Sequence, residues 1–169
     1  GDSRRDATVL DIEAFATANN ATYTEGYEHT GYFNNKYIPR AGESGGQTEL
    51  NYLSNFRIIR YSDVLLMAAE AYNRGGIDDG LAQEFLNQVR RRAFGDDEHD
   101  ISASGTALTD AIWEERKFEL SLEGHRFFDL VRTGRASSLI AGFVEGKHEV
   151  FPIPQQEVDI SGLTQNAGY

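Results

Sequence analysis

The segment from Trp113 to Arg132 is the feature that most constrains how this chain folds. Ten of its twenty residues are Glu, Asp, Arg, Lys or His, and large apolar residues at helical spacing lie between them. A surface helix usually keeps its charges on one face, away from the core. Here Glu115, Glu119 and Glu123 follow one another at intervals of four residues, with basic residues interleaved. The pattern therefore predicts charges that pair with one another inside the fold.

Eight charged residues of this segment are predicted to form a structural network of ion pairs and hydrogen bonds. They are Glu115, Arg116, Glu119, Glu123, His125, Arg126, Asp129 and Arg132. A buried network of this kind mainly fixes one packing arrangement and adds little net stability. Trp113 lies within the same helical pattern and is expected in the core.

Catalysis and metal binding are the alternative interpretations of the same charges. A glycosidase needs two carboxylates facing each other across a cleft, about 5–9.5 Å apart, whereas the three glutamates are expected on one helix face. Glu123, His125 and Asp129 include suitable metal-ligand types, but the arginines at 126 and 132 would repel a cation. Neither catalytic residues nor a metal site is therefore predicted.

Charge and composition exclude several classes of protein. Acidic residues outnumber basic residues by 27 to 16, and the net charge of −11 disfavours nucleic acid or an anionic lipid surface as the main partner. The absence of cysteine excludes disulfides and thiolate metal sites. The sequence has no phosphate-binding loop, dinucleotide fingerprint or nucleophile elbow, and no apolar run approaches the ~20 residues of a membrane span. No enzyme activity and no cofactor is expected.

Residues 57–169 have the periodicity of helices joined by connections. One helix is predicted from about residue 61 to the Gly75-Gly76 pair, and a second from residue 78 or 79 to Gly95. Their connection is short, so they should pack antiparallel as a tetratricopeptide-like hairpin. A third helix is expected from residues 106–109 to about Glu123, and a short fourth over about 125–133. The predicted fold is mostly α-helical, with tetratricopeptide-like helix hairpins and long irregular loops.

The first of these helices has apolar residues at steps of three, one, three and four. They are Tyr61, Val64, Leu65, Ala68 and Tyr72. This spacing predicts the face that packs against the core. Leu66 and Met67 are also assigned to the core, and Ser62 is the expected N-cap.

Residues 1–56 contain few helical signals and many glycine, asparagine and tyrosine residues. A short helix is indicated within residues 1–20, loops with one or two short strands within residues 21–56, and a flexible turn or disordered loop at Gly42–Gly46. Sugars stack their apolar faces on aromatic rings, while amides and hydroxyls bind the sugar hydroxyls. The candidate carbohydrate-binding residues are therefore those that loops are expected to display, namely Tyr23, Tyr27, Tyr32, Asn34 and Asn35. The alternative is that these rings hold an irregular segment against the helices.

Four blocks of sequence stand out in the second part of the chain. In order they are Arg60–Ala71, Leu86–Ala93, Glu115–Arg132, and Phe151–Pro154 followed by Gln165–Tyr169. In their residues, order and spacing they resemble the C-terminal region of the SusD/RagB family. Members of that family are outer-membrane lipoproteins of Bacteroidota that bind nutrients, mostly glycans.

Composition and periodicity indicate a loop-rich, aromatic segment, 1–56, before a helical region, 57–169, together expected to form one compact unit. The resemblance implies that this unit is part of a longer protein. It also implies capture of an oligosaccharide, a polysaccharide or another nutrient at the cell surface, without catalysis. The implied partner is a SusC-like TonB-dependent transporter of the outer membrane. The family's lipid-carrying cysteine is absent from this chain, so attachment to the membrane is expected only through an anchor in the longer protein. The alternative function is a non-catalytic helical scaffold for contacts between proteins.

Overall fold

The computed structural model describes residues 2–38 and 55–169, and its contacts separate into two compact units, Gly1–Glu123 and Gly124–Tyr169. The boundary expected after residue 56 is based on amino-acid composition, whereas the boundary after Glu123 is based on contacts within the chain. The turn predicted at Gly42–Gly46 lies outside the described residues. In the part of the chain that is described, no helix has the length and apolar character needed to cross a membrane.

The first unit begins with two short helices on either side of a strand. These elements are α1 (Arg4–Thr8), β1 (Val9–Asp11) and α2 (Ile12–Asn19). A second strand, β2 (Tyr32–Asn34), pairs antiparallel with β1 and places Phe33 opposite Leu10. The single short helix expected within residues 1–20 is therefore interrupted, because the three residues of β1 use their backbone groups to pair with a strand more than twenty positions away.

Three longer helices form the main layer of the first unit. They are α3 (Tyr61–Arg74), α4 (Asp79–Phe94) and α5 (Gly105–Glu119). The short connection between α3 and α4 makes them a helix hairpin, as predicted, and both pack against α5. The predicted mostly α-helical fold is confirmed by these helices.

One apolar cluster fills the space between these three helices. Its members are Leu65, Leu66, Ala69, Ala82, Leu86, Val89, Leu108 and Ile112. Burial of this apolar surface is what holds the three helices together, at roughly 25 cal/mol per Å² removed from water. Trp113 is only partly buried, and the guanidinium of Arg74 lies 5.7 Å from its ring centroid, so its predicted place in the core is only partly correct.

The face of α3 that packs inward differs from the predicted one. Tyr61, Val64 and Met67 are exposed, and Met67 keeps 44% of its surface open to solvent. The inward face instead includes Asp63 and Glu70, two carboxylates that apolar periodicity cannot identify as buried. Each pairs with an arginine, and such pairing is what allows a carboxylate to be buried.

The start of α3 and the end of α5 also differ slightly from the predicted boundaries. The N-cap of α3 is Arg60 rather than Ser62, whose hydroxyl accepts a hydrogen bond from Arg60 at 2.8 Å. Helix α5 ends at Glu119, four residues before the predicted end. The chain turns there because Leu122 adopts a φ of 63°, in the left-handed region that interrupts a right-handed helix.

The second unit contains three short helices joined by turns. They are α6 (Arg126–Arg132), α7 (Ala136–Leu139) and α8 (Gln155–Ser161). The ring of Phe127 contacts Phe128, Phe143 and Phe151, with ring centroids 5.6–6.4 Å apart. Gln165 binds both the N–H and the carbonyl of Ile153 at 2.8 Å, which fixes the C-terminal segment beside this aromatic group.

Candidate functional site

The buried carboxylates of α5 lie at the centre of a group of arginines. Glu115 has only 1% of its side chain exposed and binds Arg4 through one oxygen and Arg90, at 2.7 Å, through the other. Glu119, one helical turn later, binds Arg60 at 2.9 Å and Arg92 at 2.5 Å. Each carboxylate is therefore held by cations from different elements, which fixes the packing of α1, α4 and the segment before α3 around α5.

Glu123 lies beyond the end of α5, in the turn that Leu122 forms. Its carboxylate accepts two hydrogen bonds from Arg60, at 2.8 and 2.7 Å, and one from Lys36 at 2.5 Å. Arg60 and Lys36 also donate to the carbonyl of Glu119, each at 2.9 Å. Cations at this position are favoured because the last carbonyls of a helix lack partners within it and carry partial negative charge.

These cations change the acidity of the glutamates. Burial alone would raise the pKa of Glu119, but hydrogen bonding from Arg60 and the charge of Arg92 outweigh it and hold the pKa below its usual value. Burial likewise opposes ionisation of Glu123, yet its pKa is lowered by the bonds from Arg60 and Lys36. The carboxyl groups of Glu119 and Glu123 therefore favour the ionised form. They are poor candidates for the proton-donating acid of a glycosidase.

The remaining residues of the predicted network are placed differently from one another. Arg116 pairs with Asp63 at 2.7 Å, and both side chains are almost fully buried. In the second unit, Asp129 binds Arg132 at 2.8 Å. Within the described residues, the side chains of His125 and Arg126 take part in no ion pair or hydrogen bond.

The observed partners of the glutamates are not those expected from the segment itself. Their cations are Arg4, Lys36, Arg60, Arg90 and Arg92. The expected pairing along one helix fails because Glu115 and Glu119 point into the unit, where cations of other elements reach them. A usable sequence signal did exist, since Arg60, Arg90 and Arg92 lie within two of the four blocks described above.

The five carbohydrate-binding candidates are only partly brought together. Tyr27 is 96% exposed and Tyr32 is 53% exposed, on the segment that leads into β2 and on β2 itself. Tyr23 is half-buried and packs edge-on against Phe33, with ring centroids 6.3 Å apart. The first two rings are therefore open to a ligand, whereas Tyr23 packs in a small aromatic group with His29 and Phe33.

The two candidate asparagines hold the strand pair in place. Asn34 donates from its side-chain amide to the carbonyl of Leu122 at 3.1 Å, and its side-chain oxygen accepts from the Lys36 N–H at 2.9 Å. Asn35 donates to the carbonyl of Asp6 at 3.0 Å. Much of their hydrogen-bonding capacity is therefore used within the protein, which weakens the case for both as sugar contacts.

Metal binding has no support in this geometry. Within residues 2–38 and 55–169, no three His, Asp or Glu side chains are grouped so that they could hold an ion. Glu123, His125 and Asp129 are thus not brought together as a ligand set.

Solved structures with related sequences share this fold. A laminarin-binding SusD-like protein is 42% identical and superposes with a TM-score of 0.82 over 99% of this chain. Surface glycan-binding protein A from Bacteroides thetaiotaomicron, solved in complex with laminarihexaose, is 36% identical with a TM-score of 0.84 over 98% of this chain. The chain spans 35% and 38% of those two proteins, about a third of their length.

Relatives in Formosa agariphila and a family-wide comparison agree with the structural likeness. One SusD-like protein of that organism is 29% identical in an alignment of 150 residues that covers 79% of this chain and 29% of the relative. Another is 38% identical in an alignment of 131 residues that covers 69% of this chain and 25% of the relative. The sequence pattern of the SusD family matches residues 12–148. The chain therefore belongs to the SusD family.

Proposed function

We propose that this chain is part of a cell-surface protein that binds a glycan of the laminarin type. The observation that carries the proposal is the likeness to two proteins whose names record laminarin or laminarihexaose, at 42% and 36% identity over nearly the whole chain. Identity at this level over a continuous region supports a shared ligand class more strongly than the fold alone does.

The contribution of this chain to the glycan contact is proposed to come from Tyr27 and Tyr32. Both rings are exposed, and Tyr32 lies on β2, which is fixed by its pairing with β1 and by the hydrogen bond from Asn34 to the turn after α5. An aromatic ring offers a sugar a flat apolar face, and its hydroxyl can bind a sugar hydroxyl. Rigid support limits the entropy lost when the ligand binds.

No catalysis is proposed for this chain. The carboxylates at 115, 119 and 123 are all buried and bound by arginine or lysine. In the longer protein, attached to the outer membrane through a lipid anchor, the bound glycan would pass to a SusC-like TonB-dependent transporter. Binding and hand-over require a ligand site and a contact surface, and neither requires an acid or a base.

Calorimetric titration of the full-length protein with laminarihexaose tests this proposal. We expect Tyr27→Ala and Tyr32→Ala each to weaken binding on the order of tenfold, equivalent to about 1.4 kcal/mol. Tyr61→Ala is the matched control, because Tyr61 is a similarly exposed tyrosine on α3. Unchanged affinity in both variants would show that these two rings make no glycan contact. A parent protein that does not bind, or that cleaves the hexaose, would refute the function itself.

A protein-binding scaffold is the second candidate, and the outer face of α3 favours it. Tyr61, Val64 and Met67 are exposed there at intervals of three residues, a spacing that forms one apolar stripe along a helix. Under this alternative, Tyr61→Ala would reduce binding to a protein partner and Tyr27→Ala would not. The glycan titration separates the two, because a scaffold would show no heat with laminarihexaose.

A further inference from the structure

A cavity of about 270 Å³ lies beside the turn after α5, where positive side chains outnumber negative ones. It is lined by Ala7, Asn35, Lys36, Tyr37, Arg57, Arg60 and Glu123. Three of these residues are cations and one is a carboxylate. In a chain with a net charge of −11, a local surplus of positive charge is unusual.

Positive charges also outnumber negative charges in the network of ion pairs that adjoins the cavity. The linked charges there are the five cations Arg4, Lys36, Arg60, Arg90 and Arg92 and the four carboxylates Asp2, Glu115, Glu119 and Glu123. The carboxylates of this group therefore do not balance its cations. Arg57 adds one more positive charge at the mouth of the cavity.

A count of N–H donors shows which cations could still bind a ligand. Arg60 has five N–H groups, and its five hydrogen bonds reach Ser62, Glu119 and Glu123, so none remains. Lys36 has three, of which two are used by Glu119 and Glu123. One ammonium N–H of Lys36 is therefore available toward the cavity.

Arg57 is the other cation with donors to spare. Its side chain is exposed, and no carboxylate within the described residues pairs with it. The neighbouring ring of Tyr37 stacks on Phe56, with centroids 5.3 Å apart, which gives the cavity an aromatic wall. Glu123 would oppose an anion, but Lys36 and Arg60 already neutralise it. A guanidinium and an ammonium beside an aromatic ring suit a sugar that carries a negative group.

We propose that this cavity binds the anionic substituent, a carboxylate or a sulfate, of an acidic sugar unit in the glycan. Arg57 and the free N–H of Lys36 donate to the anion, and the Tyr37 ring contacts the sugar. The inference rests on the proposed glycan-binding function and narrows the ligand to chains that include charged units. Tyr27 and Tyr32 would contact neutral units, and this cavity would add selectivity for charge.

The test compares three probes on the full-length protein by calorimetry. They are laminarihexaose, a sulfated laminarihexaose and a hexaose of the same linkage with one uronic acid unit. We expect at least one charged probe to bind about tenfold or more tightly than the neutral one, because ionic hydrogen bonds are roughly twice as strong as neutral ones. The charged probe that binds more tightly than laminarihexaose shows whether the cavity prefers sulfate or carboxylate. Its gain in affinity should decrease as salt concentration rises.

Two variants assign the effect to the cavity. Arg57→Gln should abolish the advantage of the charged probe and leave binding of laminarihexaose unchanged. Arg5→Gln is the matched control, since Arg5 is an exposed arginine with only a 3.5 Å contact to Asp6. Equal affinity for charged and neutral probes, or an advantage that survives Arg57→Gln, would overturn this inference and leave the proposed function standing. Binding of a charged probe alone would refute the laminarin ligand and support the cavity, and binding of no probe would overturn both.

Discussion

At the scale of single residues, buried ion pairs decide which substitutions this fold tolerates. Asp63 and Arg116 each expose about 6% of their side chains and bind each other at 2.7 Å. Removing one member leaves the other charged, buried and without its main partner, which costs far more than the pair contributes net. An exposed pair in the same helix, Lys117 with Glu114, stays solvated when one member is lost.

Arg116→Ala is therefore expected to destabilise the protein by about 3–5 kcal/mol. Lys117→Ala, its neighbour in α5, should cost about 0–1 kcal/mol, the range for surface pairs. Urea unfolding followed by circular dichroism measures both. A loss for Arg116→Ala no larger than that for Lys117→Ala would show that the Asp63 pair is not buried in solution.

Acid should weaken the fold through Glu119 and Glu123. Their folded pKa values lie below the ordinary value, so the unfolded chain binds more protons as the pH falls. The stability they contribute is complete above the unfolded pKa, about 4.3, and is lost as pH falls through the folded pKa. Glu123→Gln should make the decline in unfolding free energy between pH 6 and pH 3 less steep, whereas the exposed Glu114→Gln should not. Parallel curves for Glu123→Gln and the parent would contradict this.

The identity of the charge partners could not be read from local sequence. The spacing of Glu115, Glu119 and Glu123 makes these glutamates recognisable in the sequence. Their partners are not, because Arg4 lies 111 positions from Glu115 and Lys36 lies 87 positions from Glu123. Helical periodicity relates residues three or four apart and carries no information about pairs at that separation. Only the tertiary arrangement of α1 and β2 beside α5 brings these charges together.

At the scale of elements, the sequence predicts the long helices better than the short ones. The helix α4 was expected almost as it is, because Ala82, Leu86, Val89 and Ala93 mark its buried face. For α3 the helix was correct and its inward face was partly wrong, since Asp63 and Glu70 take inward positions through ion pairs. Short strands were expected within residues 21–56, where β2 lies, but their positions were not, and β1 was missed, because segments so short have no period to detect.

Helix capping offers a test at this scale. The Asp78 carboxylate accepts a hydrogen bond from the Leu81 N–H at 3.0 Å at the start of α4. Ser104 occupies the equivalent position before α5 but makes no side-chain cap bond. Asp78→Ala should cost about 1 kcal/mol of unfolding free energy, and Ser104→Ala should cost clearly less. Equal losses would mean that the Asp78 bond contributes nothing beyond the intrinsic preference of the position.

At the scale of the whole molecule, family membership was predictable and the ligand site was not. Four blocks in order resemble the family, and in this chain two of them supply Arg60, Arg90 and Arg92 to the charge network around α5. Ligand contacts depend on exposure, and composition could not distinguish Tyr27, which is almost fully exposed, from Tyr23, which is half-buried. The cavity beside Lys36 could not be predicted from the sequence either, because its residues come from four separate stretches of the chain.

The long separation between Arg4 and Glu115 has a consequence for the order of folding. Their pair joins residues 111 positions apart, and closing so long a loop costs entropy that is repaid only after the intervening helices have formed. The pair should therefore be absent from the transition state. In stopped-flow experiments, Arg4→Ala should speed unfolding and leave the refolding rate nearly unchanged, whereas a matching slowdown in refolding would show that the contact forms early. Arg4 would then control the rate of unfolding, whereas formation of the α3–α4 hairpin would control the rate of folding.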